Sequence, residues 1–373
     1  MAYSHNAPFH ADVVGSYLRP SELKVARMDF AAGTISAAEL KAVEDKLITE
    51  LVAKQKAAGL HVITDGEFRR GWWHFDFMWG FNGVDHAAAA HRVTFHDEVT
   101  PADTATVTGK ISGENHPFVE HFKFVKQFED ENTVARQTMP SPAQTRFVLT
   151  GNASAYPYDE FYGNDDELTD DIVAAYRRVI ADLYAAGCRN VQFDDCTWTR
   201  LCNRSVRERL GWSDEDALRL QQENLDVINA VIADQPDDLV ITTHVCRGNF
   251  HFTWLSSGGY APVSAKLFGE EHVDAYYLEF DDDRSGDFAP LAEVSGDKKV
   301  VLGLITSKKP DLEDPETIKA RIREASQYVP LDRLCLSTQC GFASTEEGNK
   351  LTEDQQWAKI ALVQSVAKDV WGD

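Results

Sequence analysis

The segment ITTHVCRGN ends an apolar, β-branched run in a histidine and a cysteine, His244 and Cys246, two residues apart. Side chains at i and i+2 of a strand point the same way, so imidazole and thiol project together from the strand's carboxyl end. An isolated H-x-C also fits a core cysteine beside a hydrogen-bonded histidine. Two more groups shift the balance: Glu279 falls in the run AYYLEF, and Cys340 closes LCLSTQC. One imidazole, two thiols and one carboxylate form a donor set that zinc accepts in a tetrahedron. A metal shell of this kind holds a thiol as its thiolate, the nucleophilic form. The expected ligands of a Zn2+ ion are His244, Cys246, Glu279 and Cys340, and the expected chemistry is at sulfur.

Those residues meet only if their strands are neighbours that end on one face. Eight apolar runs supply the strands: ADVVGS (11–16), HVITDGE (61–67), ARQTMPS (135–141), NVQFDDC (190–196), LVITTHVC (239–246), AYYLEF (275–280), KVVLGLIT (299–306) and LCLSTQC (334–340). Near-continuous apolar runs suit parallel strands covered on both faces. Amphipathic stretches separate them. SAAELKAVEDKLITELVAKQKAAGL and LTDDIVAAYRRVIADLYAAGC each stop near a glycine, Gly59 and Gly187. The alternation predicts an α/β protein, a (β/α)8 TIM barrel, as a single domain over 1–373. HRVTFHDEVT and TATVTGKISG have period two, which predicts a β-hairpin near 92–113 within an insertion at about 85–132, after the second strand. A barrel carries its active site where the strands' carboxyl ends meet the loops. Gly15, Ser16, Glu67, Asp194, Asp195, Thr306 and Ser307 fall there beside the four metal candidates.

With 43% hydrophobic and 26% charged residues and a net charge of −23, the chain reads as globular and acidic. Nucleic acid and anionic membrane surfaces are poor partners for that charge. No run approaches the roughly 18 apolar residues of a membrane span, and the amino terminus lacks a signal-peptide pattern, so a cytoplasmic location is expected. Six cysteines are too sparse for a disulfide framework. Whether copies associate into a homo-oligomer is left open.

HVC, YLEFDDDRSGDF and STQCGF resemble the zinc motifs of the cobalamin-independent methionine synthase family. VVGSYLRP and ITDGEFRRGWWHFDF resemble that family's first- and second-strand motifs, and VQFDD its fourth. The likeness runs colinearly over nearly the whole chain and looks like the short form, which has the catalytic barrel alone. It implies that a small-molecule thiol, homocysteine, enters the metal shell and accepts a methyl group from a second small molecule. It also implies that Glu67 and Asp194 meet the amino group, while the Gly15-Ser16 turn holds the carboxylate. Each of these residues has a plainer explanation: a salt bridge for Glu67 beside Arg69 and Arg70, helix capping or an ion pair for Asp194, a tight turn for Gly15-Ser16.

Two departures bear on the donor. Long members of the family carry a histidine just after the seventh strand, where this chain has Thr306, and ARQTMPSPAQTRF lacks their tryptophan. Threonine is no acid near neutral pH. An activated donor, a methylcorrinoid or a sulfonium, is therefore expected over methyltetrahydrofolate, with His74 or His251 as other sources of a proton. The aromatic block Trp72, Trp73, His74, Phe75, Phe77, Trp79 and Phe81 is either a donor wall or packing. Competing readings are an epoxyalkane–coenzyme M transferase type, a non-catalytic zinc barrel and, last, a decarboxylase of the uroporphyrinogen type.

Overall fold

The computed structural model describes residues 7–89, 95, 103–151 and 158–372. Its strands are β1 (Val62–Ile63), β2 (Asn82–Ala88), β3 (Asp103–Ser112), β4 (Val134–Ala135), β5 (Gln137–Pro140) and β6 (Asn190–Asp195). They continue as β7 (Val240–Val245), β8 (Ala275–Glu279), β9 (Lys299–Ile305) and β10 (Leu334–Thr338). Strands β5 to β10 form one parallel sheet in sequence order. All of β6 and β8 is buried, as expected of parallel strands covered on both faces.

β4 continues the ladder on the far side by pairing in parallel with β1. It is separated from β5 by Arg136, whose N–H donates to Ile63. The first apolar run pairs less regularly. Ala11 makes a single parallel bridge to Leu336, and Asp12 N–H donates to the Leu336 carbonyl at 3.0 Å. On its other side the Thr64 hydroxyl donates to the Gly15 carbonyl at 2.6 Å.

Seven of the eight expected runs therefore contain ladder strands, and the first is held by a bridge and side-chain bonds. Its irregularity has a local cause. Gly15 has φ 126°, and an added Cβ would sit 3.1 Å from Thr138 Cγ2, so the chain turns there where only glycine is comfortable.

The intervening helices start where their sequences say they should. Ser36 and Glu39 form a reciprocal capping box before Ala37–Ala57, and Ser213 with Asp216 does the same before Asp214–Ile232. Outside the alternation, β2 and β3 pair antiparallel. β3 coincides with the expected strand TATVTGKISG, whereas its partner is the earlier Asn82–Ala88. The other expected strand, HRVTFHDEVT, lies outside the described residues apart from Phe95. Among the described residues no helix is long and apolar enough to cross a membrane.

Candidate active site

Parallel registration sets the metal candidates side by side. His244 pairs with Asp194 on one neighbour and Tyr277 on the other. Cys246 follows β7, Glu279 ends β8, and Cys340 lies two residues past β10. Their ligand atoms all lie within 4.8 Å of one another, and all four residues are buried. Cys246 Sγ is 3.8 Å from Cys340 Sγ, and His244 Nε2 is 3.4 Å from Cys340 Sγ.

The surrounding bonds orient each group. His244 Nδ1 lies 3.1 Å from the Tyr277 carbonyl. A carbonyl can only accept, so Nδ1 carries the hydrogen and the Nε2 lone pair faces the sulfurs. Glu279 Oε1 accepts the Arg247 N–H at 2.6 Å, while Oε2 is buried with no hydrogen bond. The buried Lys308 Nζ stands 3.7 Å from that oxygen. The Cys340 thiol is pushed well above its ordinary pKa, first by its hydrogen bond with Cys246 and then by burial. Cys246 is pushed up first by a hydrogen bond with Cys196. Packed thiols of this kind stay protonated unless a cation joins them. These four residues could hold a metal ion.

The cluster opens into a cavity of about 320 Å³. At one end Ser16, Glu67 and Asp194 line it. Glu67 follows Gly66 in the left-handed region, at φ 63°, a conformation that costs a non-glycine residue and is concentrated at functional sites. Its Oε1 is 3.2 Å from Arg70 Nη1, its Oε2 is 4.0 Å from Arg19 Nη2, and Oε2 lacks a hydrogen bond. Burial lifts the Glu67 carboxyl to about 7 against the pull of both arginines. Burial likewise lifts Asp194 to about 7, although Gln192 Nε2 donates to its Oδ1 at 2.9 Å. Gly15 makes the turn but does not line the cavity, whereas Ser16 does.

The other end is aromatic: Trp72, Trp73, His74, Phe75, Phe147 and Phe250 line it. The aromatic block thus divides. Its first half walls the cavity, while Phe77 packs against Phe118 and Tyr176 in the core. His74 is half-buried, and its pKa falls to about 3, by desolvation first and by the charge of Arg200 second, so it is neutral and no acid. Thr306 and His251 do not line the cavity. Thr306 Oγ1 instead accepts the Lys308 N–H at 3.2 Å.

Three residues of this site escape the sequence reading. Cys196 packs with Cys246 and Cys340, and its signal was available, a third cysteine directly after a strand. Lys308 and Arg200 had none, because their approach depends on how the loops after β9 and β6 fold back.

Comparison with known proteins places the whole arrangement. The model of the family described as "Cobalamin-independent synthase, Catalytic domain" matches residues 9–115 and 119–367. The uncharacterized protein YxjH of Bacillus subtilis is 45% identical over 98% of this chain and 95% of its own length. The solved structure of a Listeria monocytogenes protein assigned to the vitamin-B12-independent methionine synthases is 40% identical, with a TM-score of 0.78, covering 98% of this chain and 99% of that one. A B12-independent methionine synthase from Shewanella, solved in complex with selenomethionine, is similar in fold at 21% identity and a TM-score of 0.73, covering 97% of each chain. With its catalytic-domain motif set matched from one end to the other, the chain belongs to the cobalamin-independent methionine synthase family.

Proposed function

We propose that this protein is a zinc-dependent methyltransferase that moves a methyl group onto the sulfur of homocysteine, giving methionine. The parallel ladder is read as a closed (β/α)8 barrel forming one domain over 1–373, with β2 and β3 as an inserted hairpin. The observation that carries the function is the buried His244, Cys246, Glu279 and Cys340 cluster opening into the cavity that Glu67 and Asp194 also line, with one oxygen of Glu67 left without a hydrogen bond.

The cluster fits zinc. Two sulfurs held about 2.3 Å from a tetrahedral zinc lie about 3.8 Å apart, and the two Sγ atoms are 3.8 Å apart. The unbonded Oε2 of Glu279 and the bare Nε2 face of His244 complete the set. Bound there, zinc would supply the positive charge that keeps Cys246, Cys340 and an entering thiol deprotonated at neutral pH.

The chain's own residues do the rest. Glu67 and Asp194 give an ammonium two carboxylates at the end where the thiol's carbon chain would lie, and Ser16 borders the same space. That acidic end disfavours a sulfonate acceptor such as coenzyme M. The Shewanella relative's selenomethionine is an amino acid of the expected product class. The acceptor sulfur takes the methyl group as its bond to the donor breaks, and the bonding pair stays with the donor. At the aromatic end the imidazole of His74 is neutral, and Thr306 lies outside the cavity. A leaving group that needs no proton, as in a methylcorrinoid or a sulfonium, suits this end better than methyltetrahydrofolate.

The test combines zinc analysis with methionine formation from homocysteine and each of those three donors. One zinc per chain, and faster turnover with an activated donor than with methyltetrahydrofolate, are expected. Zinc-loaded protein that makes no methionine from any of them would overturn the reading.

A further inference from the structure

The cavity is charged at both ends, with opposite signs. Arg200 lies in the helix Thr197–Cys202 that follows β6 and lines the aromatic end. Its guanidinium carbon sits 4.0 Å from the centre of the Phe147 ring. Nη1 is buried and makes no hydrogen bond, and among the described residues Arg200 has no ion pair. Guanidinium does not deprotonate in a protein, and an unpaired buried charge is costly.

Asp195 acts on it through its charge, without an ion pair between them, and the oxygens of Asp195 and Asp103 are taken by other donors. Asp195 Oδ1 accepts from the Thr197 hydroxyl at 2.6 Å, and its Oδ2 is taken by the Ser141 hydroxyl. Asp103 accepts from His86 Nε2 at 2.8 Å and from Trp72 Nε1 at 3.2 Å. His74, which feels the charge of Arg200, has a buried Nδ1 without a hydrogen bond. What remains is a desolvated cation stacked on Phe147, in the wall of a cavity that Trp73 and Phe75 also line.

We propose that Arg200 selects the methyl donor, by pairing with a carboxylate, sulfonate or phosphate carried on a small apolar or aromatic body. The inference rests on the methyltransferase reading and sharpens it. A bare sulfonium cation is repelled by Arg200, whereas a donor with an anionic tail is both held and oriented. Its anion lies at Arg200, and its methyl group points towards the sulfurs of Cys246 and Cys340. A cavity of about 320 Å³ is near the lower end of ligand sites at about 300 Å³, which favours the sulfonium over the methylcorrinoid of the two activated donor classes.

The experiment uses zinc-loaded full-length protein saturated with homocysteine, with benzoate and its neutral counterpart benzamide as probes, read by tryptophan fluorescence. Wild type should bind benzoate at least about tenfold more tightly, as a charge-assisted bond predicts. Arg200→Gln should lose that preference while its benzamide affinity holds, and Arg200→Lys should keep part of it. In turnover, dimethylsulfoniopropionate should exceed trimethylsulfonium in wild type, and the gap should close through KM in Arg200→Gln. Equal affinity for the two probes in wild type, or a preference that survives in Arg200→Gln, overturns the proposal. Absence of methionine from every donor while the probe preference stands would instead fault the methyltransferase reading.

Discussion

Two buried arginine–carboxylate groups sit in the same bundle of strands and differ in completeness. Arg136 meets Asp12 through two bonds of 3.0 and 3.2 Å, and its other donors reach Val13, Asn190, Gln192 and Tyr277. None of its atoms is left over. Around Glu67, by contrast, Arg70 approaches to 3.2 Å and Arg19 only to 4.0 Å. Glu67 Oε2, Arg19 Nε and both Nε and Nη1 of Arg70 have no hydrogen bond. A saturated network ties segments together, while a half-satisfied one stores capacity for a ligand. The same contrast separates Arg136 from Arg200. Polar completeness, more than burial, divides the framework from the site.

The largest effects should come from the four-residue cluster proposed to hold the metal. Cys340→Ser and His244→Ala should retain less than about a tenth of an equivalent of zinc and lose methyl transfer, since each removes one of four ligands. A full equivalent in both variants would remove the metal assignment. The framework pair should respond in stability instead. Asp12→Ala leaves Arg136 buried without its counter-ion and should cost about 3–5 kcal/mol in urea unfolding, while the folded fraction still binds one zinc. If Glu67→Gln costs as much, the distinction drawn between the two groups is wrong.

Binding should reveal the opposite ranking. Glu67→Gln and Asp194→Asn should each weaken homocysteine by about tenfold or more, because a hydrogen bond to a charged group contributes about 1.5–3 kcal/mol. 2-Mercaptoethanol, which has no ammonium, should be unaffected, and equal losses for both thiols would sink the acceptor assignment. The smallest effect should be one of pH. Both carboxyls are lifted to about 7 by burial, so they become charged only as pH rises through that value. The preference for homocysteine over 2-mercaptoethanol should therefore grow from about pH 6 to about pH 8. The double variant should show a flat ratio, and a flat ratio in wild type would contradict the role given to this pair.

Much of this was legible before any coordinates. Apolar runs recur because parallel strands are buried on both faces, so six of them could be read to within a residue or two of the strands they contain, while the run 61–67 overshoots the short strand Val62–Ile63. That His244, Cys246, Glu279 and Cys340 come together was legible for the same reason. A polar residue that ends a buried strand can only face the rim, and strand order fixes its neighbours. The first run was less regular than expected, because the turn at Gly15 cuts its ladder short. Lys308 and Arg200 could not be foreseen, since each lies beyond a strand end where the direction of the side chain is set by the fold. Whether a histidine is neutral, as His74 is, depends on the burial and charges around it and leaves no pattern in sequence.

Gly341, next to the last metal candidate, carries one more consequence. A Cβ there would lie 1.9 Å from the hydroxyl oxygen of Ser16, and that hydroxyl accepts the Ala343 N–H, a partner 327 positions along the chain. Cys340 is therefore set in place against a turn more than three hundred residues earlier in the chain. The position of Cys340 beside His244 and Cys246 thus depends on a contact between two segments far apart in the chain, and Gly341→Ala should disturb it by pushing Ser16 away.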